Sequence, residues 1–466
     1  MGLGIAIRVV VFTTLPTIEM DGVVYAIMGS NFAKGNFAEA LEGVFPPFYP
    51  LIIGFFHLFI PDIELAGRCV SLFSSILLIY VFFVFMERYL RSGEKKVCYE
   101  ESVLYSVLFI AIHPYLIRYA PQVLSESSAT LLFTLAVFFF FNGWINNRLD
   151  HILFSSVFLA FTYLTRPEYI AYLVPLVIVL VARKRFFHAA LFLFCFAIIA
   201  LPYISYLRLE TGIWIISKKA LLMRTAVKDA HDSALYLIPG PSIIQFLKNI
   251  PSVFYYFLEA VSPLFVLLCL FGMRSVDKQY RLLMAVLIAT HVMTIALVGP
   301  SIRRFSVPFI PLMMVFAAQG GNKFSVYLRG LKHTRALTGI AFIVLLALCL
   351  YMGITLPDRG RMLEKEAGRW MLKYDPEQRI ASRLPLVGFY SEGEWVNLTT
   401  ELQDAKTCAG LTESLRGKGV KYLSVDDKMV EEFPGLLDCL PTTAFSYVWG
   451  INNEEGSVRI YRLKHE

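Results

Sequence analysis

Residues 65–86 read LAGRCVSLFSSILLIYVFFVFM, twenty-two positions with one formal charge, Arg68. As a helix this stretch rises roughly 33 Å, enough to cross a hydrocarbon core of about 30 Å. Comparable runs lie on both sides of it, at residues 102–117, 124–144, 151–164, 169–181 and 187–206. Others follow at 254–273, 282–298, 305–318 and 336–354. Residues 3–20 make a short first span of ~27 Å, with Arg8 inside it either snorkelling or facing protein. Residues 46–60 are apolar but proline-rich and suit a half-inserted helix. The expected fold class is a polytopic α-helical membrane protein with about eleven transmembrane helices.

Composition agrees. The 466 residues are 57% hydrophobic and only 17% charged, with a mean hydropathy of +0.60; soluble domains are nearer 25% charged. The net charge of +7 requires no nucleic acid, because basic cytoplasmic loops alone generate such an excess. Those loops alternate: Arg88, Arg91, Lys95 and Lys96; Arg148; Arg183, Lys184 and Arg185; Arg274, Lys278 and Arg281; Lys323, Arg329, Lys332 and Arg335. Asp21, Glu126, Arg166, Glu168, Arg303 and Arg304 then fall on the opposite, outer face. Between residues 208 and 250, Trp214, Ile215 and Ile216 beside Lys218 and Lys219 suit an interfacial helix. No basic region precedes the first apolar run, so no cleavable signal is expected there.

Past Pro357 the composition changes to that of a soluble α/β domain. Residues 361–374 form an amphipathic helix, 386–390 and 395–398 short strands, 405–418 a helix and 420–426 a strand. Residues 443–450 and 457–463 flank Asn452-Asn453-Glu454-Glu455-Gly456, a hairpin signal. The division is residues 1–355, membrane, and 356–466, an extracytoplasmic domain. There Cys408 and Cys439 are either a disulfide or two thiols. Cys69, Cys195, Cys269 and Cys349 lie in apolar segments as small buried hydrophobes.

Chemistry must come from the polar residues at outer helix ends. Glu19-Met20-Asp21-Gly22-Val23-Val24-Tyr25 places two carboxylates where the first span ends, as either a solvated helix exit or a catalytic base. Glu126 is a second acid, or a helix cap. Arg166 pairs with Glu168 at the surface or joins Arg304 in binding phosphate, for which guanidinium geometry is suited. Arg303 or Arg304 binds either lipid headgroups or a donor phosphate. His291, in mid-span, reads as a hydrogen-bonded histidine facing the bundle. A base and an anion clamp at a bilayer surface suit group transfer from a lipid phosphate.

The order Asp21-Gly-x-x-Tyr25, Gly35, then Pro46-Pro47-x-Tyr49-Pro50 resembles the first outer loop of the GT-C glycosyltransferase superfamily. The similarity is to its protein O-mannosyltransferase-like and aminoarabinose-transferase-like branch. Ala66-Gly-Arg68-Cys-Val-Ser71, the Glu126 segment, Thr165-Arg166-Pro167-Glu168 and Arg304-Phe305-x-x-Pro308 continue it, as far as about Gly320. Two departures stand out: Gly22 follows Asp21 where many relatives have Glu, and Phe45 stands where some have Lys.

The resemblance implies inverting transfer of a sugar from a polyprenyl phosphate such as undecaprenyl phosphate. The acceptor would be a lipid, glycan or protein hydroxyl at the outer face of a cytoplasmic membrane. It implies Asp21 as general base and Glu126 as the acid that orients the acceptor or holds a divalent metal. Arg304, with Arg166 and Arg303, would bind the donor phosphate, and Tyr25, Pro46, Pro47 and Tyr49 would form a substrate-binding loop. Glu19 is left as a solvated neighbour. The alternatives are a transporter or flippase of lipid-linked glycans, or a non-catalytic partner in cell-surface glycan assembly; the lack of sequence repeats weighs against transport.

Overall fold

A computed structural model describes residues 1–91, 99–218, 243–298, 303–329, 334–354, 359–405, 407–436, 440, 444–453 and 456–464. The chain divides into two compact units, Met1–Thr13 with Tyr25–Thr355, and Thr14–Val24 with Leu356–Glu466. Lys95, Lys96, Lys219, Lys332, Cys439, Glu454 and Glu455 lie outside the described residues.

The first unit is helical, as its apolar runs require. Among the described residues, four helices are long and apolar enough to cross a membrane: Ile63–Leu90, Glu126–Asn146, Phe186–Thr211 and Lys278–Leu297. Among the described residues, a fifth forms if the pair Ile244–Val261 and Pro263–Ser275, bent by 89°, counts as one span. The chain is a multi-pass membrane protein.

Several runs that read as single spans are broken, each at a residue that cannot continue a helix. The stretch 102–117 divides into Tyr99–Ile112 and Pro114–Arg118, with extended His113 between them and Pro114 opening the second piece. Ser262, at φ 70°, and Pro263 break the run 254–273 in the same way. Residues 3–20 end as a helix at Thr14, and a new helix, Met20–Ala33, begins beyond Pro16. Proline lacks the amide that the helix ladder needs. Residues 167–172 and 303–309 are 3₁₀ turns leading into Leu173–Ala182 and Ile310–Arg329. Residues 212–217, expected within an interfacial helix, are irregular.

Arg8 faces protein. It is fully buried, and its guanidinium donates to Ser75 Oγ at 2.7 Å and to the carbonyls of Gly4, Ala111 and Ile110 at 3.0, 2.8 and 3.1 Å. Ile110 and Ala111 end their helix just before His113 and Pro114, so their carbonyls have no partners further along it. The arginine supplies donors at the negative end of that helix dipole.

Among the described residues of the second unit, five strands take the order β2-β1-β3-β5-β4: β1 Ile380–Ser382, β2 Trp395–Asn397, β3 Tyr422–Asp426, β4 Phe445–Asn453 and β5 Gly456–Leu463. β1 is parallel to β2 and β3; β5 is antiparallel to β3 and β4. Strand alternation gives the sheet two apolar faces. On one, Leu363, Ala367 and Met371 of the helix Arg359–Tyr374 pack with Ile380, Tyr422 and Ile460. On the other, Leu398, Leu411 and Leu415 pack with Leu423 and Val425. Residues 386–390, expected as a strand, are a short helix following Pro385, with Leu386, Val387 and Gly388 buried. The expected helix 405–418 is Cys408–Gly417, preceded by a separate helix, Leu398–Ala405. Cys408 is disulfide-bonded.

Candidate functional site

Glu126 opens the helix Glu126–Asn146, where a carboxylate is favoured by the helix dipole. It is 1% exposed. Arg166 Nη1 donates to its Oε1 at 2.8 Å, and Arg304 Nε stands 3.3 Å from the same oxygen. Arg166 Nε also donates to Glu168 Oε1 at 2.7 Å, and its guanidinium centre lies 5.1 Å from the Phe305 ring centroid. Two carboxylates and two guanidiniums thus meet in one buried cluster, near electroneutrality. Arg166 is enclosed, with 6% of its side chain exposed; Arg304, at 25%, is the more open.

Each member is fixed by its element. Arg166 takes an extended conformation between the helix Leu149–Thr165 and the 3₁₀ turn that Pro167 begins. Arg304 lies on the 3₁₀ segment Arg303–Phe309. That segment is held by His291, whose two ring nitrogens bond Ser306 Oγ at 2.9 Å and Tyr172 Oη at 3.1 Å. Phe309 packs edge-on and tilted against Phe257, Phe133 and His291. The mid-span histidine is therefore a brace behind the arginine turn.

The aromatic-proline loop forms a wall beside Glu126. Tyr25 Oη donates to Ser125 Oγ at 3.1 Å, and its ring stacks on Phe45 and meets Tyr49 edge-on. Tyr49 Oη bonds Ser71 Oγ at 2.8 Å, and Ser71 Oγ donates to the Leu124 carbonyl at 3.3 Å. Pro46 is buried, and Pro47 precedes the helix Phe48–His57. Tyr25 is 4% exposed and Tyr49 fully buried, so these phenols support the segment before Glu126 from within. Arg303 points elsewhere: its Nη1 donates to Glu259 Oε1 at 2.7 Å, and it lies over the Tyr115 ring.

Asp21 belongs to the other unit, in the first turn of Met20–Ala33 and half-buried. Glu19, read from the sequence as solvated, forms an ion pair with Arg361. A cavity of about 180 Å³ in this unit is lined by Met20, Arg361, Glu364, Arg383, Asp426 and Ser457.

No family model and no curated protein matches the chain. Solved structures do. ArnT from Cupriavidus metallidurans in the apo state superposes with a TM-score of 0.65 at 14% identity, over 98% of this chain and 97% of that one. The same protein bound to undecaprenyl phosphate gives 0.64 at 14% identity and the same coverage. Arabinofuranosyltransferase AftD from Mycobacteria gives 0.55 at 12% identity, with all of this chain covering 41% of that one. The chain shares the fold of these structures. The resemblance read from short motifs as far as about Gly320 thus holds at the level of fold for the whole chain.

A divalent metal does not fit the Glu126 cluster. Glu126 Oε2 is buried without a hydrogen-bond partner among the described residues, but one free carboxylate oxygen beside two guanidiniums is a poor cation site. Among the described residues no group of three or more His, Cys, Asp or Glu is arranged for a metal. Sequence reading missed Glu259 as the partner of Arg303. The Ser262-Pro263 break just after it was the available signal that this acid sits at a helix end.

Proposed function

We propose that the protein is a membrane glycosyltransferase that moves a sugar from a polyprenyl phosphate to an acceptor hydroxyl, with inversion. Asp21 takes the proton of the acceptor hydroxyl as its oxygen attacks the anomeric carbon. The bond from that carbon to the phosphate oxygen breaks, and the lipid phosphate leaves with the electron pair. Arg304 receives the phosphate charge; Arg166 holds Glu126 and so sets where Arg304 rests. Arg303, committed to Glu259, is at most peripheral to this step, and Tyr25 and Tyr49 shape the wall.

The observation that carries the reading is the Glu126 cluster. It keeps a partly open arginine at a buried carboxylate, at a 3.3 Å contact that a phosphate oxygen can replace. The GT-C fold, seen in ArnT with undecaprenyl phosphate bound, supports the donor class. The Cys408 disulfide supports an oxidising compartment for the C-terminal domain, hence the outer face of a cytoplasmic membrane.

The test uses purified protein in detergent with a radiolabelled undecaprenyl-phosphate sugar and a panel of hydroxyl acceptors. Asp21→Asn should lower transfer by about 10²–10⁴-fold; undiminished transfer would remove Asp21 from the role of base. A cysteine placed near Asp21 should label with an impermeant thiol reagent from outside intact cells. Labelling only from the inside would overturn the orientation.

A further inference from the structure

We propose that the C-terminal domain is a clamp on the loop that carries the base, with Arg361, Lys365 and Tyr390 as positioning residues for Asp21. The proposal rests on Asp21 as the base and assigns that domain its part in the same reaction.

Residues 15–19 lie between two helices and make no regular structure. Their backbone groups therefore need partners from elsewhere, and the C-terminal domain supplies them. Lys365 Nζ donates to the Pro16 carbonyl at 2.6 Å. The Ile18 amide donates to Tyr390 Oη at 3.1 Å. Arg361 Nη1 donates to the Glu19 carboxylate. The three holding groups are also tied to one another. Arg361 and Lys365 are four residues apart on the helix Arg359–Tyr374, which places them on one face. The Lys365 ammonium lies 4.6 Å from the Tyr390 ring centroid.

The grip reaches the base through one helical turn. The Glu19 carbonyl accepts from the Val23 amide at 3.0 Å, which makes Glu19 the residue that starts the helix Met20–Ala33. Holding Glu19 from its side chain therefore fixes the origin of the turn that bears Asp21. Thr17 and Ile18 are 6% and 1% exposed, so the loop is seated in the C-terminal domain over several residues. An ångström of displacement at a catalytic base can cost about 10²-fold in rate, which is the scale of benefit such a clamp confers.

The test is hydrogen exchange on the full-length protein in detergent micelles, read in peptides covering residues 15–19, alongside transfer from the labelled undecaprenyl-phosphate sugar. Tyr390→Phe deletes the hydroxyl that accepts from the Ile18 amide, and should speed exchange there about five- to tenfold, with the β3–β5 strands unchanged. Arg361→Gln should lower kcat by about tenfold or more with the donor KM unchanged, and the swap Arg361→Glu with Glu19→Arg should recover most of it. Unchanged exchange at residues 15–19 in Tyr390→Phe would overturn the clamp, as would swap activity no better than that of Arg361→Glu alone. The Asp21→Asn result is separate: transfer that survives it removes the base assignment, while the exchange data still report whether the domain holds the loop.

Discussion

Arg166 and Arg304 approach the same oxygen of Glu126 and differ in what else they satisfy. Arg166 is enclosed and serves two carboxylates, Glu126 and Glu168, whereas Arg304 is a quarter exposed and 3.3 Å from Glu126. Removing one partner of a buried ion pair leaves an uncompensated charge and costs about 3–5 kcal/mol. Arg166→Ala should therefore lower stability on that scale, read as a large drop in the melting temperature of the detergent-solubilised protein. Arg304→Ala should melt close to wild type while losing most of its transfer. The reverse pattern would exchange their roles. The sequence offered these residues as types, acid and guanidinium at outer helix ends. Their pairing depends on Pro167 and Pro308 bending two remote turns, and no spacing in the chain encodes that. Arg303 and Arg304 are adjacent and chemically identical, yet only the fold sends one to Glu126 and the other to Glu259.

At the scale of elements, the four long spans were legible because an apolar run of twenty residues has few other uses, whereas the expected total of about eleven goes beyond the four or five that the described residues show. Their interruptions were less so. His113-Pro114 and Ser262-Pro263 each carried a visible proline, but periodicity cannot say whether a proline kinks a helix or ends it. Residues 386–390 show the opposite failure: five apolar positions suit strand or helix equally, and burial behind Pro385 settled it as helix. Close packing of helices was invisible as well. Gly272 and Gly320 face each other across the helices Pro263–Gly272 and Ile310–Arg329, and a Cβ on Gly320 would lie 1.9 Å from the Leu268 carbonyl oxygen. No side chain can rotate away from that contact, because the obstacle is backbone. Gly320→Ala should force the helices apart and destabilise by about 1–3 kcal/mol. Gly339→Ala, where nothing lies within 4 Å, should be neutral or slightly stabilising. Equal melting temperatures for the two variants would refute the packing argument.

At the scale of the whole molecule, the two units should respond differently to acid. The helical unit buries its charges against one another, while the C-terminal unit carries carboxylates whose ionised form is held by neighbours at its edges. Asp375 pairs with Lys421 Nζ at 2.6 Å and accepts from Tyr422 Oη at 2.7 Å. These contacts, Lys421 foremost, hold its carboxyl below the usual range. Glu401 pairs with Lys418 and accepts from Ser414 Oγ at 2.5 Å; the Lys418 ammonium is the main reason its carboxyl is also held low. A carboxyl whose folded pKa lies below its unfolded value contributes its full stability above the unfolded value, near 4. That contribution is lost as the pH falls through the folded value. The C-terminal unit should therefore melt at a constant temperature from pH 7 to about 5 and progressively lower below about 4. Three of the five tryptophans, Trp370, Trp395 and Trp449, lie in this unit, with Trp370 stacked on Trp449, so tryptophan fluorescence in a background carrying Trp144→Phe and Trp214→Phe follows it. Asp375→Asn combined with Glu401→Gln should start from a lower melting temperature at neutral pH and lose less between pH 5 and pH 3. An acid limb of undiminished steepness in that double variant would place the titrating groups elsewhere.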